Sequence, residues 1–216
     1  QRINGIRKPH VYVWGTGFIN YSDADGKFFK RNMEFCAVRG ELTRKNVERM
    51  TGKKMDIPMA DAGILASELL KERPEVCYDV GVVPHLCDLK DPAVEKLLTS
   101  YDNAKFINVK DDPLQVVKEI AECRYIISSS LHGLIVADSL GIPNMYLVFG
   151  DRLLGDGYKF EDYYSAYGVE AQPRDLRTEK APELTEIKEQ YQILPEMVEE
   201  KKRQMKAAFP YPVKNR

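Results

Sequence analysis

The sequence is poor in the residues that build metal and disulfide sites. Its 216 residues include three histidines and four cysteines, and the cysteines stand far apart, at Cys36, Cys77, Cys87 and Cys123. Structural zinc sites use closely spaced cysteine and histidine pairs, and small secreted domains are dense in cysteine. The spacing suggests neither, so we predict no metal, no cofactor and a reducing, cytoplasmic environment.

Excess charge and long apolar runs are also missing. Lys and Arg together number 32 and Asp and Glu 33, which leaves a formal net charge of −1. Such a balance creates no overall field that would attract nucleic acid or an acidic membrane surface. No apolar run approaches the about 20 residues that span a bilayer, and the first ten residues lack a signal-peptide core. We therefore predict a soluble protein without a nucleic-acid partner, in which any anion site is local.

Segments with strand and helix character alternate along the chain. Because each predicted strand in the second half is separated from the next by a helix-length crossover, the pattern favours an α/β fold with a parallel sheet. Charge and proline at residues 71–75 interrupt the alternation. We predict an amino-terminal half over residues 1–75, a carboxy-terminal half over 76–170 and a helical tail over 171–216. The tail is expected to pack back across the seam between the halves, and a solvated end is the alternative.

The most informative segment runs from Tyr125 to Leu147. It is typical of a strand, a polar turn, a helix and a second strand that follows Gly141 and Pro143. Ligands bind outside the carboxyl ends of parallel strands, and a helix N-terminus favours anions. The polar turn supplies the candidate ligand contacts Ser128, Ser129, Ser130 and Gly133, and the candidate catalytic group His132. The structural alternative is that the serines cap the helix and that the histidine is a satisfied, partly buried side chain.

Further candidates lie at other predicted strand ends. Gly15 and Gly17 form a turn that suits phosphate binding, although a third glycine and a P-loop lysine are missing, and a plain tight turn explains them equally well. Arg39 is placed to hold a carboxylate or phosphate, with a salt bridge to Glu41 or Asp61 as the alternative.

A second histidine and a lysine complete the set. His85 ends a predicted strand, with Asp88 close behind, and is expected either to face a cleft or to lie on a surface loop. Lys159 belongs to an aromatic segment that is a candidate rim of a sugar-binding cleft, although most aromatic residues at helical spacing are expected in the core.

An ordered series of motifs carries a resemblance. The motifs are Val13–Gly17, Val38–Gly40 with Leu42–Arg44, Asp61–Gly63, Val80–His85, Ser128–Gly133 with Gly141–Pro143, and Lys159–Tyr164. In this order they resemble the polysaccharide pyruvyl transferase family.

The resemblance implies two Rossmann-like halves in a glycosyltransferase-B-like arrangement, with the acceptor on the amino-terminal side and the donor on the carboxy-terminal side. It implies transfer of a pyruvyl group from phosphoenolpyruvate to two hydroxyls of a sugar, as a cyclic ketal on a surface polysaccharide or its lipid-linked precursor. His132 matches the family's histidine and Arg39 a family arginine. A cytoplasmic protein is implied, with peripheral association at the inner face of the membrane left open together with the oligomeric state.

Two departures from the family pattern keep alternatives open. Many members carry arginine two residues before the histidine, where this chain has Ser130. The amino-terminal half also appears shortened by comparison with the family. The alternatives are a binding or scaffold module that has lost donor chemistry, and a sugar-nucleotide glycosyltransferase of the same architecture.

Overall fold

The computed structural model describes residues 2–3, 6–7, 10–24, 32–150 and 156–211. Its strands are β1 (Arg2–Ile3), β2 (Ile6–Arg7), β3 (Val11–Thr16), β4 (Met33–Val38), β5 (Tyr78–Val83), β6 (Ala104–Phe106), β7 (Cys123–Ser128), β8 (Asn144–Val148) and β9 (Arg174–Asp175). Its α-helices are α1 (Tyr21–Ala24), α2 (Glu41–Thr51), α3 (Pro92–Leu98), α4 (Pro113–Ala121), α5 (Leu131–Ser139), α6 (Tyr158–Ser165), α7 (Leu184–Gln190) and α8 (Pro195–Ala207). A 3-10 helix spans Ala62–Leu69.

The chain divides into two compact units that interleave along the sequence. The first contains the described residues within 1–62, 155–168 and 199–216, and the second contains those within 63–154 and 169–198. The assignment of an acceptor half, a donor half and a tail to residues 1–75, 76–170 and 171–216 is a functional one and stays a prediction.

In the first unit, β3 and β4 pair in parallel, with register shifts on either side of Trp14. The indole N–H of Trp14 donates to the carbonyl of Met205 at 3.0 Å, which attaches the end of α8 to this pair of strands. α6 buries three aromatic side chains, Tyr158, Phe160 and Tyr163, each at most 1% exposed. The expectation that most of this aromatic segment lies in the core is confirmed.

The second unit is built on a five-stranded sheet of order β6-β5-β7-β8-β9, in which every neighbouring pair is parallel. Successive residues of a strand point to opposite faces, so Ile126 packs in one core cluster and Ile127 in the other. Both faces are therefore covered, as parallel sheets require. The predicted α/β fold with parallel strands is confirmed. No helix in the described ranges combines the length and apolar character needed to cross a membrane.

Candidate functional site

The turn after β7 is held against the end of β5 by one serine. Ser128 is fully buried and lies opposite Val83 in the register of the two strands. Its hydroxyl lies 2.7 Å from the Val83 carbonyl and 2.8 Å from the Ser130 carbonyl, and it accepts the Ser130 N–H at 3.0 Å. The side chain of Ser128 is thus fully used in shaping the turn.

Gly133 allows α5 to approach the sheet closely. A Cβ atom at this position would lie 2.4 Å from the Ser128 hydroxyl oxygen and 2.9 Å from a Val83 methyl carbon. A side chain at this position would therefore force the buried Ser128 and Val83 side chains to shift. The contribution of Gly133 to the predicted site is the placement of the helix N-terminus.

The start of α5 presents His132 at the surface. Every other residue of this helix is buried, whereas His132, its second residue, is exposed. Ser130 is the N-cap residue, yet its side chain makes no capping hydrogen bond to the helix. The expectation that serines cap this helix through their side chains is therefore wrong at the cap position itself. The first N–H groups of a helix have no intrahelical acceptor and carry partial positive charge, which suits an anion.

Ser129 joins this turn to the loop that follows β5. The side chain of Ser129 is fully buried, accepts the His85 N–H at 2.8 Å and donates its hydroxyl proton to Asp88 at 2.7 Å. Asp88 is also buried, at 1% exposed. The histidine ring of the loop lies with its Nδ1 2.9 Å from the sulfur of Cys87. The predicted neighbours Ser128, Ser129, Ser130, His132, Gly133 and His85 are thus brought together at the carboxyl ends of β5 and β7.

The first unit holds the other predicted residues, and Arg39 is its charged centre. Arg39 is 6% exposed, and its Nε donates to Asp162 at 2.9 Å. The same carboxylate accepts the Thr43 N–H at 2.8 Å and the Thr43 hydroxyl at 2.7 Å. Arg39 thus forms a salt bridge, as the alternative interpretation predicted, but its partner is Asp162 and not the predicted Glu41 or Asp61. Glu41 instead pairs with Arg44, whose side chain lowers the pKa of the Glu41 carboxyl.

The two glycines of the amino-terminal turn have packing reasons of their own. Gly15 has a φ of +77°, and a Cβ there would lie 2.6 Å from the Ala62 nitrogen. At Gly17 a Cβ would lie 2.6 Å from the Asp162 carboxylate. Lys159, on α6, has its Nζ 5.3 Å from the centre of the Phe160 ring. Ligand contact by these three residues stays a prediction.

Two contact partners of the candidate residues were not predicted from the sequence: Asp162, which binds Arg39, and Cys87, which contacts His85. Asp162 lies inside the Lys159–Tyr164 motif, but its partner Arg39 is 123 positions away, so no local pattern connects them. Cys87 follows His85 by two positions, a spacing short enough to have suggested the contact.

Parallel strands with helices, and a serine and histidine turn at the strand ends, define a class of α/β protein in which ligands bind at this edge of the sheet. Within that class, the chain belongs to the polysaccharide pyruvyl transferase family, whose model matches residues 5–149. The resemblance predicted from the ordered motifs is confirmed, and the Lys159–Tyr164 motif lies beyond the matched range.

Two relatives extend the match. The uncharacterized protein L143 of Acanthamoeba polyphaga mimivirus is 34% identical over 167 residues, which are 74% of this chain and 56% of the relative. The succinoglycan biosynthesis protein ExoV of Rhizobium meliloti (strain 1021) is 23% identical over 172 residues, which are 78% of this chain and 51% of the relative. The chain thus spans about half the length of these curated relatives.

Proposed function

We propose that the chain acts in the transfer of a pyruvyl group from phosphoenolpyruvate to a sugar of a surface polysaccharide or its precursor. Membership of the family supports this reaction, and the name of the relative ExoV supports polysaccharide assembly as its setting. The observation that carries the proposal is His132, an exposed imidazole on the first turn of a helix that is otherwise buried.

The geometry of this turn suits an anionic donor. Phosphoenolpyruvate has a phosphate and a carboxylate, and a helix N-terminus attracts such groups. Ser130 is 8% exposed, and its side chain makes no capping hydrogen bond to α5, which leaves its hydroxyl for the donor in this proposal. The buried partners of Ser128 and Ser129 fix the backbone on which these contacts depend.

The chemistry assigned to His132 is protonation of the methylene carbon. The donor's CH₂ group gains one proton and becomes methyl, and C2 becomes electrophilic. One sugar hydroxyl adds to C2, and a second displaces phosphate to close the cyclic ketal. Of the two hydroxyl protons released, one replaces the proton that His132 gave and the other leaves with phosphate. Imidazole is suited to this exchange near neutral pH.

The proposal includes the wider setting implied by the family. It places two Rossmann-like halves in a glycosyltransferase-B-like arrangement, with the donor bound by the half that carries His132 and the acceptor bound by the other. It further assigns Arg39, Gly15, Gly17, His85 and Lys159 to substrate contact. A cytoplasmic protein acting on a sugar or lipid-linked oligosaccharide fits this scheme, with peripheral attachment to the inner face of the membrane.

Phosphate release from phosphoenolpyruvate, measured with galactose- or N-acetylmannosamine-containing acceptors, tests the reaction. His132→Ala should lower the rate by about 10² to 10⁴, the usual contribution of a positioned general acid. His10→Ala is the matched control, because His10 is also an exposed histidine but pairs with Glu34 in the first unit. Absence of release with every acceptor, or a His132→Ala rate equal to that of the control, would sink the proposal.

One observation favours a second candidate, a binding module that keeps the fold without donor chemistry. Position 130 is serine where many members have arginine, and the Arg39 guanidinium is already held by Asp162 and by the Phe18 carbonyl. Calorimetry separates the candidates, because such a module should not bind phosphoenolpyruvate, whereas the transferase should. If the missing guanidinium is the cause, Ser130→Arg should restore binding.

A further inference from the structure

The loop after β5 brings together three side chains with different metal-binding atoms. The Nδ1 atom of His85 lies 2.9 Å from the Cys87 sulfur, and that sulfur lies 3.6 Å from an Asp88 carboxylate oxygen. One ligand atom from each of the three residues lies within 4.8 Å of the others. The turn itself is closed by the Asp88 N–H, which donates to the His85 carbonyl at 2.8 Å.

The His85 ring offers an unprotonated nitrogen to this cluster. The backbone N–H of Cys87 donates to His85 Nδ1 at 3.3 Å, a contact in which this nitrogen is unprotonated and acts as an acceptor. A neutral imidazole that offers a lone pair is the form that binds metals. The loop therefore holds a nitrogen, a sulfur and an oxygen atom close together.

Asp88 supplies an independent reason to expect a cation. Its carboxylate is 1% exposed and accepts hydrogen bonds from the Ser129 hydroxyl and, weakly, from the Cys87 thiol. Within the described residues it forms no ion pair with a lysine or arginine. Buried charges are costly unless they are paired or coordinate a metal.

We infer that His85, Cys87 and Asp88 form a zinc-binding site, with one position of the tetrahedron open. Zinc takes nitrogen at about 2.0 Å, sulfur at about 2.3 Å and oxygen at about 2.0–2.2 Å, which sets ligand atoms roughly 3.4 to 3.6 Å apart. The sulfur to oxygen distance already matches, and the nitrogen to sulfur distance must open by less than about 1 Å. Calcium and magnesium, which prefer oxygen ligands, fit this set poorly.

Ser129 supports the site from outside. Its hydroxyl donates to Asp88 Oδ2, while the Cys87 sulfur lies beside the other oxygen, Oδ1, so the two carboxylate oxygens have different partners. Hydrogen bonds of this kind orient carboxylate ligands in metal sites. Zinc binding releases the Cys87 thiol proton to solvent and stiffens the loop next to the serine turn. No step assigned to His132 uses the metal, but His85 would then bind zinc, so the inference replaces the substrate contact proposed for that one residue.

Metal binding is tested directly on the purified, chelator-treated protein, without any substrate. Zinc is titrated against a chromophoric competitor, and cobalt(II) is then substituted to reveal thiolate coordination by its charge-transfer absorption. We expect one zinc per chain and a cobalt spectrum with thiolate character. Cys87→Ser should abolish the charge-transfer band and weaken zinc binding at least about 100-fold, and His85→Ala and Asp88→Asn should also weaken it.

The controls separate this site from other thiols and from misfolding. Cys77→Ser removes an exposed thiol and should leave the stoichiometry and the spectrum unchanged. Ser129→Ala should weaken zinc binding about 10-fold while keeping the charge-transfer band, because it removes the hydrogen bonds to Asp88 and from the His85 N–H but none of the three ligands. Circular dichroism confirms that each variant is folded. If folded Cys87→Ser binds zinc as the unaltered protein does, or if the unaltered protein binds none, the inference is overturned, whatever the result with phosphoenolpyruvate.

Discussion

Replacing Asp162 by asparagine should destabilise the first unit strongly. The side chain of Asp162 is fully buried and receives three hydrogen bonds, from the Arg39 guanidinium and from the N–H and hydroxyl of Thr43. Asparagine has nearly the same shape, so the change removes the charge without creating a cavity. It leaves the Arg39 cation buried without a counter-charge.

The size of the destabilisation follows from the unpaired Arg39 charge that the substitution leaves buried. Breaking a buried ion pair by removing one partner costs about 3–5 kcal/mol, because the remaining charge has lost both its water and its partner. For a chain of this size each kcal/mol corresponds to about 2–4 °C in midpoint temperature. We therefore expect the midpoint for the first unit to fall by roughly 6–20 °C. Arg39→Met added to Asp162→Asn should recover part of the loss, with a coupling of about 1–3 kcal/mol.

The chain offers a specific probe for this measurement. Trp14 is the single tryptophan and belongs to the same unit as Arg39 and Asp162, so its fluorescence follows the unfolding of that unit in urea. Glu161→Gln is the matched control, because it removes a carboxylate charge from the preceding, exposed position of α6. It should change stability by less than about 1 kcal/mol, as exposed carboxylates generally do.

The double-mutant cycle decides whether the physical account is right. If Asp162→Asn lowers the free energy of unfolding no more than Glu161→Gln does, then leaving the buried Arg39 cation without its partner costs little. Additive effects of Asp162→Asn and Arg39→Met would mean that the two groups do not depend on each other. Either result would refute the description of this cluster as a buried ion pair.

Other predictions concern the second unit. Gly133→Ala should lower the free energy of unfolding by about 1–3 kcal/mol, because the new Cβ overlaps side chains at the ends of β5 and β7. Gly150→Ala is the control and should have little effect, because a Cβ there has no neighbour within 4 Å. Circular dichroism during thermal unfolding compares the two variants. Burial raises the pKa of the Cys123 thiol to about 12. At pH 8 we therefore expect Cys123 to react with iodoacetamide roughly a thousandfold more slowly than the exposed Cys77, measured by peptide mass spectrometry; comparable rates would contradict this protection.

Local pattern predicted most of the fold, and it failed where tertiary hydrogen bonds compete with the backbone. The apolar segment Ala62–Leu69 is long enough for two turns of α-helix but forms a 3-10 helix. There the Ser139 hydroxyl donates to the Ile64 carbonyl at 2.7 Å and accepts the Ser67 N–H at 2.8 Å. A residue more than 70 positions away thus takes up backbone groups that an α-helix would pair internally. The two-residue strand β9, Arg174–Asp175, was missed because it is polar and is defined only by its pairing with β8.

The position of the candidate site could be predicted from the sequence, but the contacts that its side chains make within the protein could not. The rule that ligands bind at the carboxyl ends of parallel strands located the serine turn and His85 from their sequence order alone. The rule does not say which side chains are occupied by the protein itself. That depends on contacts such as Ser129 with Asp88, which join segments 41 positions apart and have no periodic signature.

The three serines of the turn differ in how their side chains are bonded within the protein. Ser128 and Ser129 are fully buried, with both hydroxyls bonded to groups at or after the end of β5. Ser130 is 8% exposed and its side chain caps nothing, whereas His132 is exposed. An arginine in place of Ser130 would stand at the cap of α5 and would break no capping hydrogen bond, because the Ser130 side chain makes none. In the proposed scheme, serine at position 130 removes one cationic side chain from the start of α5, while the hydrogen bonds of Ser128 and Ser129 remain.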